Sequence, residues 1–236
     1  LWGFFYIAAS NTLSMDLKPE ILEQIKQLQQ KYEVMGQDLS SYLDGLLYSN
    51  YLSYWDYIHL DTLLSLQNPR TDFPDEEIFI MYHQVTELVL KMMIHELKQL
   101  VEEDLKEAVW IDKLSRLNRY TSMLINSFDV MKFGMNYDDY NTFRSTLTPA
   151  SGFQSAQFRI LELYCTRLQN LVNHAGKKRI GTNPTIEDYF EQLYWKDAGY
   201  NRKTGEKTLT LSHFEEKYQT ELILLAKQKA GKTLED

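Results

Sequence analysis

The chain has 236 residues, 44% hydrophobic content and a formal net charge of −8. This length and hydrophobic content suffice for one domain with a substantial core, alone or with appendages. The negative charge argues against a nucleic-acid partner, because phosphate binding needs a basic surface. The single cysteine, Cys165, excludes an intrachain disulfide framework and fits a reducing compartment, so we expect a cytoplasmic protein with a buried, inert thiol.

The first ten residues are apolar and aromatic but too few to span a bilayer. No basic segment precedes them, as it would in a complete signal peptide. Because the chain does not begin with Met, a fragment boundary and an appended segment stay open, as does an arm that docks on a neighbouring subunit.

Apolar residues recur at three- and four-residue spacing along most of the chain, which predicts an all-α protein. The longest helix is expected to run from a cap at Asp75 to about Asp104. It carries apolar residues on more than one side, which indicates a central and largely buried position. The other predicted helices cover residues 21–35 with a stop at Gly36, 59–67, 114–131 and 153–174. A short helix is expected to start at Asn183-Pro184 or at Thr185 and to end near Trp195, and a last helix covers 212–230 with a capping box at Ser212 and Glu215.

A stretch rich in turn residues, 148–159, follows Arg144 by four positions. An arginine just ahead of a Ser–Gly turn can offer its planar guanidinium to a carboxylate beside free backbone N–H groups. The pattern therefore predicts a site for a small acidic ligand. A structural salt bridge at Arg144 and a simple helix cap at Ser151 or Gly152 remain open alternatives.

His83 lies within an apolar run of the longest helix, four residues after Phe79, so the two share one helix face. A histidine beside an aromatic wall suits a pocket for a flat polar substrate. From helix position alone, a core histidine with a backbone or side-chain partner is the favoured alternative. The spacing of the five histidines predicts no zinc site. A di-iron site needs paired Glu-x-x-His motifs, and Asp56-x-x-His59 is only loosely similar to one.

Three motifs in the same order resemble those of the tryptophan 2,3-dioxygenase family. Residues 54–67 resemble its N-terminal motif, residues 75–97 its distal-pocket helix and residues 143–159 its substrate loop. Together the motifs extend over nearly half of the chain. The resemblance implies an all-α helical bundle of the tryptophan/indoleamine dioxygenase type, assembled as a homotetramer.

The resemblance also implies a haem b oxidoreductase of tryptophan catabolism. Such enzymes open the indole C2–C3 bond of L-tryptophan with O2 and give N-formylkynurenine, which enters the kynurenine pathway. Carried over by position, His83 is the catalytic residue and binds the indole N–H, Phe79 packs near the indole, and Arg144 pairs with the substrate carboxylate. The remaining implied site residues are Tyr54, Tyr57 and Tyr140 lining the pocket, and Ala150, Ser151 and Gly152 against the haem.

The chain departs from the family pattern in two places. Val89 stands where the family usually has an aromatic residue. The family's proximal haem histidine and its Gly-Thr-rich loop have no clear match: residues 203–207 match that loop poorly, and we do not expect His174 or His213 to bind iron. The metal ligand is therefore unassigned.

The expected organisation is an N-terminal arm and helix at residues 1–36, a haem and substrate-pocket core at 37–176, and an incomplete C-terminal helical extension at 177–236. Two alternatives to the tryptophan enzyme remain. One is a family member with another indole or aromatic amino-acid substrate. The other is a haem-free or divergent member that binds aromatic amino acids or serves in assembly.

Overall fold

The computed structural model describes residues 17–48, 53–147, 152–201 and 203–236. Contacts along the backbone divide the chain into two compact units, residues 1–63 and 64–236. The predicted apolar arm lies outside the described residues. The predicted three-part organisation stays a prediction.

The N-terminal unit contains α1 (Pro19–Val34), α2 (Leu39–Tyr48), α3 (Tyr54–Tyr57) and α4 (Leu60–Leu63). Gly36 has a φ of +67°, a left-handed conformation that favours glycine after a helix end, so the predicted stop there is confirmed. The predicted helix over 59–67 is wrong in extent. His59 has a φ of +53°, which separates two short helices.

The C-terminal unit is also helical. Its helices are α5 (Pro74–Glu102), α6 (Glu107–Phe133), α7 (Tyr137–Leu147), α8 (Ala156–Cys165), α9 (His174–Arg179), α10 (Ile186–Glu191) and α11 (Leu209–Lys229), with 3₁₀ turns at Gly152–Gln154, Leu168–Leu171 and Tyr194–Gly199. The part of the chain that the structure describes has no strand, only two isolated bridges, and the all-α prediction is confirmed. None of these described helices is long and apolar enough to cross a bilayer.

Helix α5 packs against both α6 and α8, and its C-terminal half forms one hydrophobic core. Val89, Leu90 and Leu97 lie in this core with Leu117 of α6 and Tyr164 of α8. The predicted burial of α5 is therefore correct for its second half. Its first half stays partly exposed, and this half carries the candidate site residues.

A second core lies between α8, α10 and α11. Phe190, Trp195 and Leu211 are at most 5% exposed within it. A Cβ at Gly199 would lie 2.7 Å from the Cβ of Leu211, so only glycine allows this close approach. The ammonium of Lys196, whose side chain is 1% exposed, lies 2.7 Å from a carboxylate oxygen on α11, so the buried charge is paired.

The predicted continuous helix over 153–174 is wrong. Helix α8 ends at Cys165, and Thr166 adopts an extended conformation. Glu235 accepts hydrogen bonds there from the Thr166 hydroxyl, the backbone N–H of Arg167 and the amide of Asn170. Glu235 thus stabilises the non-helical segment after α8, although it lies more than 60 residues later in the sequence.

Three predicted helix starts are also wrong. Helix α5 begins at Pro74, one residue before Asp75. Helix α8 begins at Ala156 rather than at residue 153, and Ser155 caps it, whereas Ser151, one of the two alternative cap residues, lies outside the described residues. Thr208 caps α11, so the predicted capping box at Ser212 lies inside the helix, whereas Thr185 forms a capping box at α10 and confirms the predicted start there.

Candidate functional site

Phe79 and His83 lie on the same face of α5, as their spacing predicts. Their ring centroids are 4.1 Å apart. Phe79 is half-buried, whereas His83 is exposed, so the imidazole is accessible to solvent.

Helix α7 joins this face through aromatic side chains. Phe143 is fully buried and makes an edge contact with Phe79 at 5.7 Å between centroids. Tyr140 contacts Phe143 at 5.5 Å and Phe79 at 6.2 Å. The three rings form one wall between the two helices, with His83 at its edge.

Arg144 lies one turn after Tyr140, and its guanidinium carbon is 5.7 Å from the centroid of the Tyr140 ring. The side chain is exposed, and the described residues supply no ion-pair partner for it. The alternative of a structural salt bridge therefore finds no support in this part of the chain. The guanidinium retains its donors for a ligand.

The hydrogen bond of His83 defines its tautomer. Its Nδ1 lies 2.8 Å from the backbone carbonyl oxygen of Phe79. Because a carbonyl oxygen only accepts, Nδ1 carries the proton, and in the neutral ring Nε2 is left as an acceptor. The side chain is thus half satisfied by the helix and keeps one nitrogen for a ligand N–H.

The segment before α5 runs beside this site. The side chain of Gln84, next to His83, donates to the carbonyl of Leu66 at 3.2 Å and accepts from the amide of Gln67 at 2.6 Å. Two turns earlier on α5, the carboxylate of Glu76 accepts hydrogen bonds from residues 70 and 71 of the same segment. The segment is therefore fixed to α5 at two points.

Glu76, which is not among the site residues predicted from the sequence, is only 1% exposed. Its carboxylate accepts from the backbone N–H groups of Arg70 and Thr71, at 2.9 and 2.8 Å, and from the Thr71 hydroxyl. Burial alone would raise the pKa of Glu76, but these hydrogen bonds outweigh it, and the pKa lies below its usual value. The available sequence signal was the run of three acidic residues, Asp75 to Glu77, at the start of a helix that follows a Thr-containing loop.

The first turn of α8 is bonded to α5 through Gln157. Its amide donates to the backbone carbonyl of Glu87 at 2.8 Å and to the Glu87 carboxylate at 2.9 Å. Gly152 is exposed, and no atom lies within 4 Å of the position that a Cβ would take. The predicted cofactor residues Ala150 and Ser151 lie outside the described residues.

Two further predicted site residues belong to the N-terminal unit. Tyr54 and Tyr57 lie on α3 of the N-terminal unit and are 72% and 74% exposed. Their role in the pocket stays a prediction. Val89 is buried in the core of α5, so the departure from the family pattern falls at a packing position.

No metal ligand set emerges from the residues that the structure describes. Groups of three or more His, Cys, Asp or Glu side chains that could hold an ion are absent from this part of the chain. His174 and His213 are exposed on α9 and α11. Burial raises the pKa of the Cys165 thiol to about 11, which makes it a poor nucleophile, as expected.

Comparison with known proteins gives matches to one family. A family model described as tryptophan 2,3-dioxygenase matches residues 45–219. A protein of that name from Ruegeria sp. (strain TM1040) is 41% identical over 118 residues, which cover 49% of this chain and 42% of the relative. For relatives of the same name from Polaromonas naphthalenivorans and Anaeromyxobacter sp. (strain K), the identities are 38% over 119 residues and 43% over 122 residues. These matches cover 49% and 50% of this chain, and 41% and 45% of the relatives, so the chain spans less than half of each relative's length.

The buried carboxylate of Glu76 predicts a pH-dependent contribution to stability. Because its pKa is lower in the folded than in the unfolded protein, its contribution is present above the unfolded value of 4.5 and is lost as pH falls through the lower folded value. Urea unfolding at several pH values between about 6 and 3 should therefore show a shallower acid loss of stability for Glu76→Gln than for the wild type.

Glu77→Gln is the matched control, because Glu77 lies in the same first turn of α5 but is exposed. It should retain the wild-type pH dependence. Equal pH dependence of the wild type and Glu76→Gln would contradict the assignment.

Proposed function

The chain belongs to the tryptophan 2,3-dioxygenase family, and we propose that the protein acts as a haem b-dependent oxidoreductase on L-tryptophan. In this proposal it opens the indole C2–C3 bond with O2 and gives N-formylkynurenine, a step of tryptophan catabolism in the kynurenine pathway. The observation that carries the proposal is the wall formed by α5 and α7, which links His83, Phe79, Tyr140 and Arg144 through ring contacts.

Arg144 is proposed to hold the substrate carboxylate. Its guanidinium has no ion-pair partner among the residues that the structure describes and presents parallel N–H donors that match a carboxylate. The Tyr140 ring beneath the guanidinium restricts where the side chain can go. A carboxylate fixed in this way orients the rest of the amino acid toward the aromatic wall.

The indole ring is proposed to lie against Phe79, with its N–H directed at His83. The Nε2 of the neutral imidazole accepts this hydrogen bond because Nδ1 donates to the backbone. Two anchors at opposite ends of the substrate fix both its position and the plane of its ring. Such positioning lowers the barrier by removing motion that the reaction would otherwise have to restrict.

Haem b is the proposed cofactor and, when bound, supplies the binding and activation of O2. Ala150, Ser151 and Gly152 would lie against it, and Gly152 is exposed. The iron ligand is unassigned. Self-association as a homotetramer is part of the proposal, and exposed apolar side chains on α5 give it a suitable surface: Met81, Val85, Leu88 and Met92.

Replacement of Arg144 tests the carboxylate clamp. Arg144→Ala should weaken L-tryptophan binding by about 1.5–3 kcal/mol, because charge-assisted hydrogen bonds to the substrate are lost. Isothermal titration calorimetry measures the change. Arg119→Ala, which removes an exposed arginine from α6, should leave the affinity at the wild-type value; unchanged affinity in Arg144→Ala would exclude the clamp.

Replacement of His83 tests the indole anchor. His83→Ala should lower turnover of L-tryptophan by the haem-loaded protein at least tenfold, because loss of this hydrogen bond misorients the indole. Turnover is measured as formation of N-formylkynurenine, and the Soret absorption verifies equal haem content. His95→Ala on the same helix should retain normal turnover; normal kinetics of His83→Ala would remove His83 from the site.

A further inference from the structure

Asp75 joins the first turn of α5 to the turn that begins α7. Its carboxylate Oδ2 accepts the backbone N–H of Asn136 at 2.5 Å. Asn136 lies between Gly134, which ends α6, and the first residue of α7. The hydrogen bond therefore fixes the entry point of α7 on α5.

Asn136 transmits this constraint into α7. Its side-chain oxygen accepts from the backbone N–H groups of Asp138 and Asp139, at 2.9 and 3.2 Å, and so caps the first turn. Its backbone carbonyl accepts from the N–H of Tyr140 at 3.0 Å. Asn136 thus links Asp75 to the first turn of α7, because it is hydrogen-bonded to both.

The site residues follow on both helices at the same interval. Phe79 and His83 lie four and eight residues after Asp75 on α5, whereas Tyr140 and Arg144 lie four and eight residues after Asn136. Residues four apart share a helix face. The two series therefore run along facing sides of α5 and α7.

These spacings give three residue pairs, each with one residue on α5 and one on or before α7, and the first two pairs are in contact in the structure. The Asp75 carboxylate bonds to Asn136, and the Phe79 ring contacts the Tyr140 ring. The next pair is His83 and Arg144, the two groups to which the proposed function assigns the two ends of the substrate.

We propose that Asp75 is a positioning residue for amino-acid recognition, which rests on the function proposed above. By fixing the register of α7 on α5, it sets the span between the carboxylate anchor at Arg144 and the N–H acceptor at His83. The buried Phe143 also holds the helices together, through its edge contact with Phe79. A hydrogen bond to a backbone N–H is directional and defines the register.

Substitutions of Asp75 separate positioning from general stability. Asp75→Ala should weaken L-tryptophan binding roughly three- to tenfold, in line with the loss of one hydrogen bond. Asp75→Asn should recover most of this affinity, because the amide oxygen accepts the same N–H. Tryptamine, which lacks the carboxylate, should bind wild type and Asp75→Ala with affinities within about twofold, since the effect acts through Arg144.

Glu77→Ala is the control for helix charge. Glu77 is acidic, lies in the same first turn of α5 and is exposed, so its removal changes the interaction with the helix dipole but not the link to α7. It should leave both affinities unchanged. Equal weakening of L-tryptophan and tryptamine binding by Asp75→Ala would indicate a merely structural role and overturn the proposal.

A double-substitution cycle distinguishes this inference from the proposed function. In the Arg144→Ala background, Asp75→Ala should cause no further weakening of L-tryptophan binding. If Arg144→Ala alone leaves binding unchanged, or if the wild type does not bind L-tryptophan, the proposed function fails and the inference falls with it. If Arg144→Ala weakens binding and Asp75→Ala does not, the inference alone is wrong.

A measurement without ligand provides an independent readout. Amide hydrogen exchange across residues 137–147 should be faster in Asp75→Ala than in the wild type, because the start of α7 loses its attachment. Glu77→Ala and Asp75→Asn should show exchange close to that of the wild type. Unchanged exchange in Asp75→Ala would overturn the proposed role.

Discussion

The attachment of α7 to the first half of α5 is the interaction on which the candidate site depends. The side-chain carboxylate of Asp75, which accepts the backbone N–H of Asn136, and the buried ring of Phe143 hold the two helices together. Neither His83 nor Arg144 is buried, so their own packing does not fix them relative to one another. The position of His83 relative to Arg144 depends on the helical turns that precede them. The order of the site therefore depends on the contact between α5 and α7.

Helix α5 divides the tasks of stability and recognition along its length. Its second half lies in a core with α6 and α8, whereas its first half carries the exposed end of the aromatic wall. Gln157 joins the two regions by bonding to Glu87, one turn after His83. The packed half supplies a rigid base, and the exposed half leaves donors and acceptors free for a ligand.

The sequence predicted those features that depend on local periodicity. The all-α class, the long central helix and the shared face of Phe79 and His83 all follow from three- and four-residue spacing. The break after Cys165 could not be predicted in this way, because Glu235 holds Thr166 and Arg167 through hydrogen bonds from the end of the chain. Periodicity within 153–174 carries no information about that partner.

Helix starts and buried charges were missed for a related reason. Several Ser, Thr and Asp residues near each start could act as caps, and only the folded backbone decides which side chain reaches an N–H group. Glu76 was overlooked because an acidic residue in a first helical turn is usually solvated. Its burial depends on the loop at Arg70 and Thr71, whose N–H groups it accepts.

A crystal structure of the protein with L-tryptophan bound would test the central claim most directly. We expect the substrate carboxylate within hydrogen-bond distance of the Arg144 guanidinium and the indole N–H directed at His83 Nε2, with Phe79 against the ring. L-tryptophan bound away from the wall between α5 and α7, or bound there with its carboxylate on another group, would contradict it.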